Sequence, residues 1–440
     1  MAKRIVVTGV GAVSPLGVGA EATWAGLLAG RSGIRRITHW DASKLDVQIA
    51  GEVPDFVAKD HMEFKLAKRM DRFAHFAVAS AREAIEQSGL QITEANTERV
   101  AVMVNTGGGG IPTIEHDVTA MAVRGQRFVS PLLIPLFAPN MASCQVSIAF
   151  GIHGPSITSA AACASGIQAF IDAVHLINRD EADVVITGGT ESGITPVAVA
   201  GLANMGALSR RNDAPEKASR PFDADRDGFV FSEGGSVMVL ETEEHALARG
   251  AHIIAVVHGG AYTSDAYHIT APHPEGRGAA KAMTKAMERS GFAPEDVDYV
   301  AAHATATPLG DAAETNALKI AFGDHARKLA ISANKSMIGH LLGGAGAISA
   351  LACVLAIRDG KVHPTINLDT PDPACDLDYV PNVAREMSVD VAIANGFGFG
   401  GQNACTVFSK YTGYPPPFSP LPIIGEGSGV RGDGPHPLQG

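Results

Sequence analysis

At the centre of the sequence stands Ile157-Thr158-Ser159-Ala160-Ala161-Ala162-Cys163-Ala164-Ser165-Gly166-Ile167-Gln168-Ala169-Phe170. After a Gly154-Pro155 turn it passes from a short apolar run, through small residues and one thiol, to a helical pattern of apolar residues. Cys163 therefore falls where a predicted strand turns into a helix N-terminus. Unpaired N–H groups and the helix dipole favour a thiolate there, which predicts a nucleophile. The alternative is a small buried hydrophobe, as most free cysteines are.

Length and composition predict a large protein of reducing compartments. The chain has 440 residues, 46% hydrophobic and 18% charged, so we expect a sizeable core and more than one domain. Its five cysteines form no CxxC pair, which predicts free thiols and no metal site. The net charge of −11 argues against nucleic-acid binding. The N-terminus has no signal peptide and no apolar run looks long enough to span a bilayer, so we predict a cytoplasmic protein without membrane insertion.

The second half of the chain repeats the plan of the first. Predicted elements correspond in order: His252–His258 with Lys3–Val13, Val297–Ala304 with Arg99–Thr106, Leu329–Asn334 with Ile157–Ala162, and Val391–Gly401 with Val184–Thr190. Continuous apolar strands indicate a sheet covered on both faces, hence a duplicated α/β/α fold. We expect halves at 1–250 and 251–412, with a disordered Pro/Gly-rich tail at 413–440. One long helix is predicted over Phe64–Ser88.

Three further motifs of the second half carry polar groups at strand ends. His303 follows the predicted strand Val297–Ala304, His340 follows a strand-to-helix turn, and Asn395–Asn403 is a glycine-rich turn. A lone histidine at a strand end is more often structural than catalytic. Two such histidines and a thiol on matching strands, however, converge at one sheet edge. The sequence therefore predicts one site containing Cys163, His303 and His340.

Five motifs together resemble those of a known family. They are Ala162-Cys163-Ala164-Ser165-Gly166, Pro221-Phe222-Asp223-Ala224-Asp225-Arg226-Asp227-Gly228-Phe229, His303-Ala304-Thr305-Ala306-Thr307, Lys335-Ser336-Met337-Ile338-Gly339-His340 and Gly396-Phe397-Gly398-Phe399-Gly400-Gly401. From about Lys3 to Lys410 the chain resembles the β-ketoacyl-[acyl-carrier-protein] synthases, acyltransferases of fatty-acid synthesis, and among them the synthase II group. Ala304 stands where the family usually has glycine. The resemblance implies a thiolase-like duplicated five-layered α-β-α-β-α fold.

The resemblance also implies a role for each site residue. Cys163 would carry the acyl group, with the N–H groups of Cys163 and Phe399 as oxyanion hole, and His303 and His340 would stabilise the malonyl enolate. The remaining roles would be site organisation by Lys335, Glu314 and Asp311, phosphopantetheine binding by Thr305, Thr307 and Thr270, and aromatic framing by Phe229 and Phe399. No resident cofactor is implied, because 4'-phosphopantetheine arrives on the acyl carrier protein.

Two sets of residues are implied to set substrate and partner choice. Gly108 and Leu202 stand where synthase II commonly has a bulky aliphatic and a bulky aromatic gate, so we expect an acyl channel open beyond the thiol. An acidic carrier protein needs a local basic patch on this acidic chain. The candidates, which could equally form a solvated face, are Lys65, Lys68, Arg69, Arg124 and Arg127. The resemblance further implies a homodimer.

Three alternative functions stay open. A ketosynthase of a type II polyketide pathway would keep the same triad. A coenzyme A thiolase shares the fold but would use a second cysteine, and here Cys405 lies beyond the glycine turn. A non-catalytic chain-length partner would lack the nucleophile, which Cys163 argues against.

Overall fold

The computed structural model describes residues 3–413. Its strands are β1 (Ile5–Ser14), β2 (Gly17–Val18), β3 (Arg35–Arg36), β4 (Ile49–Ala50), β5 (Val100–Asn105), β6 (Val184–Glu191), β7 (Gly234–Thr242), β8 (Ala255–Ser264), β9 (Tyr299–Ala301), β10 (Ala330–Ser332), β11 (Lys361–Val362), β12 (Arg385–Glu386), β13 (Val391–Gly398) and β14 (Gln402–Ser409). Its α-helices are α1 (Ala20–Leu28), α2 (Phe64–Ala67), α3 (Arg72–Ser88), α4 (Ile111–Arg124), α5 (Leu133–Phe137), α6 (Met141–Phe150), α7 (Ser165–Asn178), α8 (Pro196–Asn204), α9 (Glu243–Ala248), α10 (Arg277–Ser290), α11 (Pro308–Phe322), α12 (Lys335–Ile338) and α13 (Ala345–Asp359). The predicted tail at 413–440 lies outside the described residues except for Gly413.

Ten strands follow one hydrogen-bonded order that reveals the duplication, and only three residue pairs between β1 and β8 join the β layer of one half to that of the other. The order is β10-β9-β13-β14-β8-β1-β7-β6-β5, with β2 beside β1. The antiparallel pair β1–β8 joins the two halves. From this pair each half continues outward through antiparallel strands to a parallel pair, which is β6–β5 in the first half and β13–β9 in the second. β10 continues the second half in parallel, and in the first half Ser156 makes the matching parallel bridge to Val102.

The buried side chains divide into the layers of a five-layered α-β-α-β-α fold. Alternate residues of β5 face opposite ways, since Val102 packs with α3 and α6 whereas Met103 packs with α7 and α13. In the second half Ile393 packs with α10 and α11, and Ala392 packs with the central helices. Helices thus cover both outer faces, and α7 and α13 fill the middle. The predicted fold class is confirmed.

The two central helices approach each other at glycines. A Cβ on Gly166 would lie 2.6 Å from the backbone nitrogen of Ala347, and a Cβ on Gly346 would lie 2.8 Å from the nitrogen of Ile167. No side chain fits at either position without a backbone shift. The N-terminal ends of α7 and α13, one from each half, therefore meet near the middle of the molecule.

Two predicted elements differ from the structure. The helix predicted over Phe64–Ser88 is two helices. The backbone at Asp71 is extended, which interrupts the helix, and the Asp71 carboxylate accepts from the N–H and the hydroxyl of Thr113. Ile157–Ala162, predicted as a strand, has no regular strand; only Ser156 and Ile157 pair with β5, before the chain turns towards Cys163. The division of the chain at 250 stays a prediction.

One helical stretch, Leu342–Asp359, is apolar and long enough to cross a membrane by length and composition alone. We expected no such stretch from the sequence, and that expectation was wrong. In the structure 83% of the stretch is buried inside the protein, where α13 packs between the two halves. Core helices of soluble proteins pass the same test, so its composition follows from its central position.

Candidate active site

Cys163 lies on a strained turn that precedes α7. Ala162 has a φ of 48°, a left-handed conformation uncommon for a residue with a side chain. The Ser165 hydroxyl fixes the turn, since it accepts from the N–H of Ala161 at 2.8 Å and donates to the carbonyl of Ala162 at 2.7 Å. Cys163 is 5% exposed and lines a cavity of about 380 Å³. The predicted strand-to-helix nucleophile position therefore leads into a cavity.

The glycine turn after β13 comes into close contact with the nucleophile. A Cβ on Gly398 would lie 2.9 Å from the backbone nitrogen of Cys163 and 2.8 Å from the carbonyl oxygen of Ala161. Only glycine permits this approach, which brings the N–H of Phe399 to the thiol beside the N–H of Cys163 itself. Both N–H groups interact favourably with negative charge on the sulfur. The two predicted oxyanion donors are thus adjacent to one sulfur.

The pKa of the Cys163 thiol is raised, although its position at a helix N-terminus predicted a lowered pKa. Burial raises the pKa of Cys163 to about 11, although the Lys335 charge and the N–H groups of Phe399 and Cys163 act to lower it. Loss of solvent outweighs these favourable interactions. In this structure burial therefore favours the protonated thiol, whereas the position at a helix N-terminus predicted that the thiolate would be favoured.

His303 and His340 meet edge to face. Their ring centroids are 5.3 Å apart with the planes at 86°, and both rings line the cavity with Cys163. Phe229 packs against His340 at 5.2 Å, and Phe397 packs against His303 at 5.7 Å. These aromatic contacts fix the two imidazoles from opposite sides.

Both histidines are neutral. Burial, together with the Lys335 charge, holds the pKa of His303 and of His340 well below the usual 6.5. His340 Nδ1 is buried without a hydrogen-bond partner among residues 3–413. A neutral imidazole can donate one N–H to a substrate oxygen, so two such donors are available beside the thiol.

Glu314 and Asp311 organise the backbone around His303. Glu314 accepts from the N–H groups of His303 at 2.9 Å and Ala304 at 2.7 Å, and from the Asn395 amide at 3.1 Å. Asp311 accepts from the N–H groups of Phe222 and Ala306. Burial raises the pKa of Glu314, and it raises the pKa of Asp311 to about 7. Both acids line the turn between β9 and α11.

Lys335 acts at longer range than we expected. It is 1% exposed, and its Nζ has no hydrogen-bond partner within residues 3–413. The direct network with Glu314 and Asp311 implied by the resemblance is therefore missing, although both acids act on the lysine electrostatically. Burial lowers the pKa of Lys335 to about 8. Its charge in turn lowers the pKa of Cys163 and of both histidines.

The alanine that departs from the family pattern sits in a strained conformation. Ala304 has a φ of 27°, in the region that favours glycine. Its N–H is nevertheless held by Glu314, so the turn keeps the geometry that glycine would adopt without strain. The departure therefore affects strain in the turn and leaves every chemical group in place.

The cavity brings together most predicted substrate contacts but not the gate. Its lining includes Cys163, His303, His340, Glu314, Thr305, Thr307, Thr270, Phe229 and Phe399. Thr305 and Thr307 lie side by side, with their hydroxyl oxygens 3.1 Å apart. Lys335 and Asp311 lie behind the wall, and neither Gly108 nor Leu202 lines this cavity.

The space beside Gly108 is already filled, contrary to the expected open channel. A Cβ on Gly108 would lie 2.7 Å from Cδ1 of Ile111, the first residue of α4. The same Cδ1 would lie 3.4 Å from a Cβ on Gly193. Ile111 therefore occupies the volume that the small residue at 108 leaves. Leu202 packs, partly buried, in a cluster with Phe229 and Phe231.

We expect Gly108→Ile to destabilise the protein by about 1–3 kcal/mol, the typical effect of overpacking a filled site. The double variant Gly108→Ile/Ile111→Ala should recover most of that loss, because it exchanges the positions of the two side chains. Urea unfolding measures both. Equal stability of the parent and the single variant would contradict the filled site.

Acylation by long chains should slow in the single variant only, whereas uniform loss over all chain lengths would indicate damage to the glycine turn.

Several residues of the site escaped the sequence interpretation. Phe397, Asn403, Asp265 and His273 line the cavity, and Asn395 holds Glu314. Phe397 and Asn395 belong to the glycine-rich motif, so alternation along β13 could have identified them. Asp265 and His273 come from a loop with no periodic pattern, and the sequence contains no signal for them.

The predicted basic residues are exposed, and none lines the cavity. Lys65 lies on α2 and Lys68 directly follows it, with the Lys68 ammonium 4.3 Å from the centre of the exposed Phe64 ring. Arg124 and Arg127 flank the Phe128 ring at 4.1 and 5.2 Å. Arg69 follows α2 and is also exposed. Within residues 3–413 no group of three or more His, Cys, Asp or Glu side chains could hold a metal ion.

A buried cysteine on the turn before α7, two backbone N–H donors and two histidines meet in one cavity of a duplicated α-β-α-β-α fold, which is the arrangement of a thiolase-fold enzyme. The chain belongs to the β-ketoacyl synthase family: the model of the beta-ketoacyl synthase N-terminal domain matches residues 2–246, and that of the C-terminal domain matches residues 254–369.

Known relatives agree with this family. The 3-oxoacyl-[acyl-carrier-protein] synthase 2 of Synechocystis sp. is 50% identical over 93% of this chain and 98% of the relative. The solved ishigamide ketosynthase/chain length factor is 34% identical with a TM-score of 0.88, covering 94% of this chain and all of that one. A type II polyketide ketosynthase, solved bound to a hexaketide and in complex with its acyl-carrier protein, is 30% identical with a TM-score of 0.86, over 93% and 100%.

Proposed function

We propose that this enzyme is a β-ketoacyl-[acyl-carrier-protein] synthase II, which condenses malonyl-carrier protein with an enzyme-bound acyl group during fatty-acid elongation. The observation that carries the proposal is the single cavity in which Cys163, two oxyanion donors and two neutral histidines meet. Each group matches one step of a decarboxylative Claisen condensation.

In the first step Cys163 takes the acyl group. The sulfur attacks the thioester carbonyl of acyl-carrier protein, and the N–H groups of Cys163 and Phe399 stabilise the oxyanion. The C–S bond to phosphopantetheine breaks, and the proton of the Cys163 thiol ends on the departing sulfur. Because burial raises the pKa of the thiol, the step includes the loss of this proton from the sulfur.

In the second step the histidines act on malonyl-carrier protein. Its C–C bond to the carboxylate breaks, CO₂ leaves, and the electron pair forms an enolate on the thioester. His303 and His340 each donate an N–H to the enolate oxygen, and neutral imidazoles do so near pH 7. The enolate carbon then attacks the acyl carbonyl on Cys163. The thiolate leaves, giving 3-oxoacyl-carrier protein, and takes up one proton from solvent, because the loss of CO₂ from the carboxylate supplies none.

Two alternatives fit the observations less well. A thiolase would need a second cysteine at the site. Cys405 lies on β14, fully buried against the outer helices, and does not line the cavity. A polyketide ketosynthase shares the fold, yet the two solved ketosynthases are 34% and 30% identical whereas the fatty-acid relative is 50% identical.

Elongation of a ladder of saturated acyl-carrier proteins tests the proposal. With malonyl-carrier protein as the second substrate, mass spectrometry should detect 3-oxoacyl products two carbons longer than each accepted chain. One extension per acyl chain is expected from a fatty-acid synthase, because the other enzymes of the cycle are missing. Repeated unreduced extension would favour the polyketide alternative, and transfer to coenzyme A would favour the thiolase.

The carrier protein is proposed to dock on the exposed cations on α2 and directly after it. Carrier proteins of this class are acidic, and Lys65, Lys68 and Arg69 form a local positive cluster on a chain of net charge −11. Lys68 lies over the Phe64 ring, which leaves an exposed aromatic face beside the charges. The phosphopantetheine arm would then reach Thr305, Thr307 and Thr270.

Lys65→Glu/Arg69→Glu should raise KM for acyl-carrier protein about 10-fold at low salt and weaken its salt dependence, because long-range attraction is lost. Cys163 should react with a small acyl thioester at the parent rate, which separates docking from chemistry. Lys281→Glu/Lys285→Glu on α10 is the control for charge alone. Equal KM in the docking variant and the parent would reject this cluster.

We propose that a second copy of the chain covers the apolar face of α4, α5 and α6. Exposed side chains on this face include Val118, Met121, Ile134 and Ile148, all more than half exposed. Patches of this kind mark protein interfaces. Ile134→Asp/Ile148→Asp should turn a dimer into a monomer in analytical ultracentrifugation. A monomeric parent would contradict the homodimer.

A cytoplasmic location is also proposed, since the five cysteines are all free thiols, as expected for a reducing compartment. Cell fractionation followed by immunoblotting tests it, and recovery in the membrane pellet would reject it.

A further inference from the structure

One motif of the sequence has no role in the steps above. Pro221–Phe229 contains Arg226, which is 7% exposed and does not line the cavity. We propose that Arg226 is a positioning residue that holds the turn carrying His303, Thr305 and Thr307 in its reactive geometry. This inference builds on the proposed function, because it assigns to Arg226 the alignment of His303 for decarboxylation.

The Arg226 guanidinium holds the start of α11. Its Nε donates to the carbonyl of Thr307 at 3.2 Å, and its Nη2 donates to the carbonyl of Pro308 at 2.9 Å. These carbonyls come directly after the turn 303–306, and the Thr307 side chain caps the helix. A planar guanidinium fixes two such acceptors at once, which an ammonium group does not.

The other side of the guanidinium is anchored to fixed elements. Nη1 donates to the carbonyl of Asp223 at 2.8 Å and to the carboxylate of Asp372 at 2.6 Å. Nε also lies 3.6 Å from Asp311, whose carboxylate accepts from the N–H groups of Phe222 and Ala306. Arg226 and Asp311 therefore join the motif and the histidine turn through one buried ion pair.

The turn that Arg226 holds is strained. Ala304 and Ala306 have φ values of 27° and 66°, and Phe222 opposite them has 65°. Such conformations persist only when the surroundings enforce them. The carbonyl of Ala306 also accepts from the N–H of Gly228 at 3.1 Å, next to Phe229. Because Phe229 packs against His340, loss of Arg226 should disturb the surroundings of both histidines.

The nucleophile is held by different elements. Cys163 depends on the Ser165 hydroxyl, and its oxyanion donors depend on the turn at Gly398. Arg226 contacts neither. Loss of Arg226 should therefore separate the two partial reactions, leaving the reactivity of the thiol intact while decarboxylation falls.

Arg226→Ala tests the proposal, with Arg220→Ala as the matched control. Arg220 directly precedes the motif and is 5% exposed, but it pairs with Asp223 and Asp369 and does not touch the histidine turn. In Arg226→Ala we expect malonyl decarboxylation to fall about 10²-fold in kcat, the scale of a misplacement of about 1 Å. Alkylation of Cys163 by iodoacetamide should stay within about twofold of the parent. Millimolar guanidinium should restore part of the decarboxylation in Arg226→Ala only.

Three results would overturn the positioning role. They are parent-level decarboxylation in folded Arg226→Ala, an equal loss in Arg220→Ala, and a loss of Cys163 alkylation as large as that of decarboxylation. If Arg226→Ala does not fold, Asp372→Asn replaces it: the milder change should lower decarboxylation without changing alkylation, and no change in decarboxylation would overturn the proposal.

A substrate-free measurement separates this inference from the proposed function. If the parent itself fails to decarboxylate malonyl-carrier protein, the proposed function is wrong. The Cε1 resonance of His303 then decides the role of Arg226. A changed chemical shift in Arg226→Ala but not in Arg220→Ala supports positioning, and unchanged shifts in both overturn it.

Discussion

Cys163→Ala should abolish the acyl-enzyme and lower the rate of condensation by about 10⁶, the scale seen when the nucleophile of a covalent mechanism is removed. Cys163 is the cysteine beside both oxyanion donors, so no neighbouring thiol can replace it. Intact-protein mass spectrometry after incubation with acyl-carrier protein should show an adduct on the parent and none on the variant.

The variant should still decarboxylate malonyl-carrier protein, because His303 and His340 remain. Cys144→Ala is the control, since Cys144 is partly exposed and lies outside the cavity, so it reports non-specific acylation. An acyl adduct on Cys163→Ala at the parent level would exclude Cys163 as the nucleophile.

His303→Ala and His340→Ala should each lower malonyl decarboxylation by about 10²–10⁴ while acylation of Cys163 stays measurable. Each substitution removes one of two neutral donors to the enolate oxygen. Decarboxylation is best followed in the Cys163→Ala background, where condensation does not compete. His258→Asn is the control for loss of a partly buried histidine, because His258 binds Ser409 away from the cavity. Parent-level decarboxylation in either variant would remove that histidine from the mechanism.

The same histidines predict the pH dependence of decarboxylation. Their pKa values lie well below 6.5, so both imidazoles stay neutral as the pH falls from 8 to 6.5. Protonation of the histidines should therefore cause no loss of rate in that range. A rate that falls with a midpoint near 6.5 would contradict the neutral histidines, because the other groups that titrate beside the site, Asp311 and Lys335, have pKa values of about 7 and about 8.

Much of the site could be predicted from local sequence. The change from small residues to helical spacing placed Cys163 at the start of α7, and the repeated order of strands brought His303 and His340 to the same edge. Glycines at 396 and 398 predicted a close approach, and a Cβ at either position would indeed meet the nucleophile turn. These features follow from period, turn chemistry and parallel order, all of which the sequence displays.

What failed depended on contacts between distant parts of the chain. The pKa of Cys163 is a balance between burial and nearby charge, and only the packed structure gives the burial. The helix predicted from Phe64 is interrupted before Asp71, whose carboxylate binds the distant Thr113. No periodic pattern could have indicated these distant contacts.

The most direct test of the proposed function is a chase of isolated acyl-enzyme with malonyl-carrier protein, followed by mass spectrometry of both proteins. We expect the adduct on Cys163 to disappear at the rate at which 3-oxoacyl-carrier protein, two carbons longer than the adduct, is formed. An adduct that persists, or that is lost only by hydrolysis without a longer carrier-bound product, would contradict condensation at Cys163.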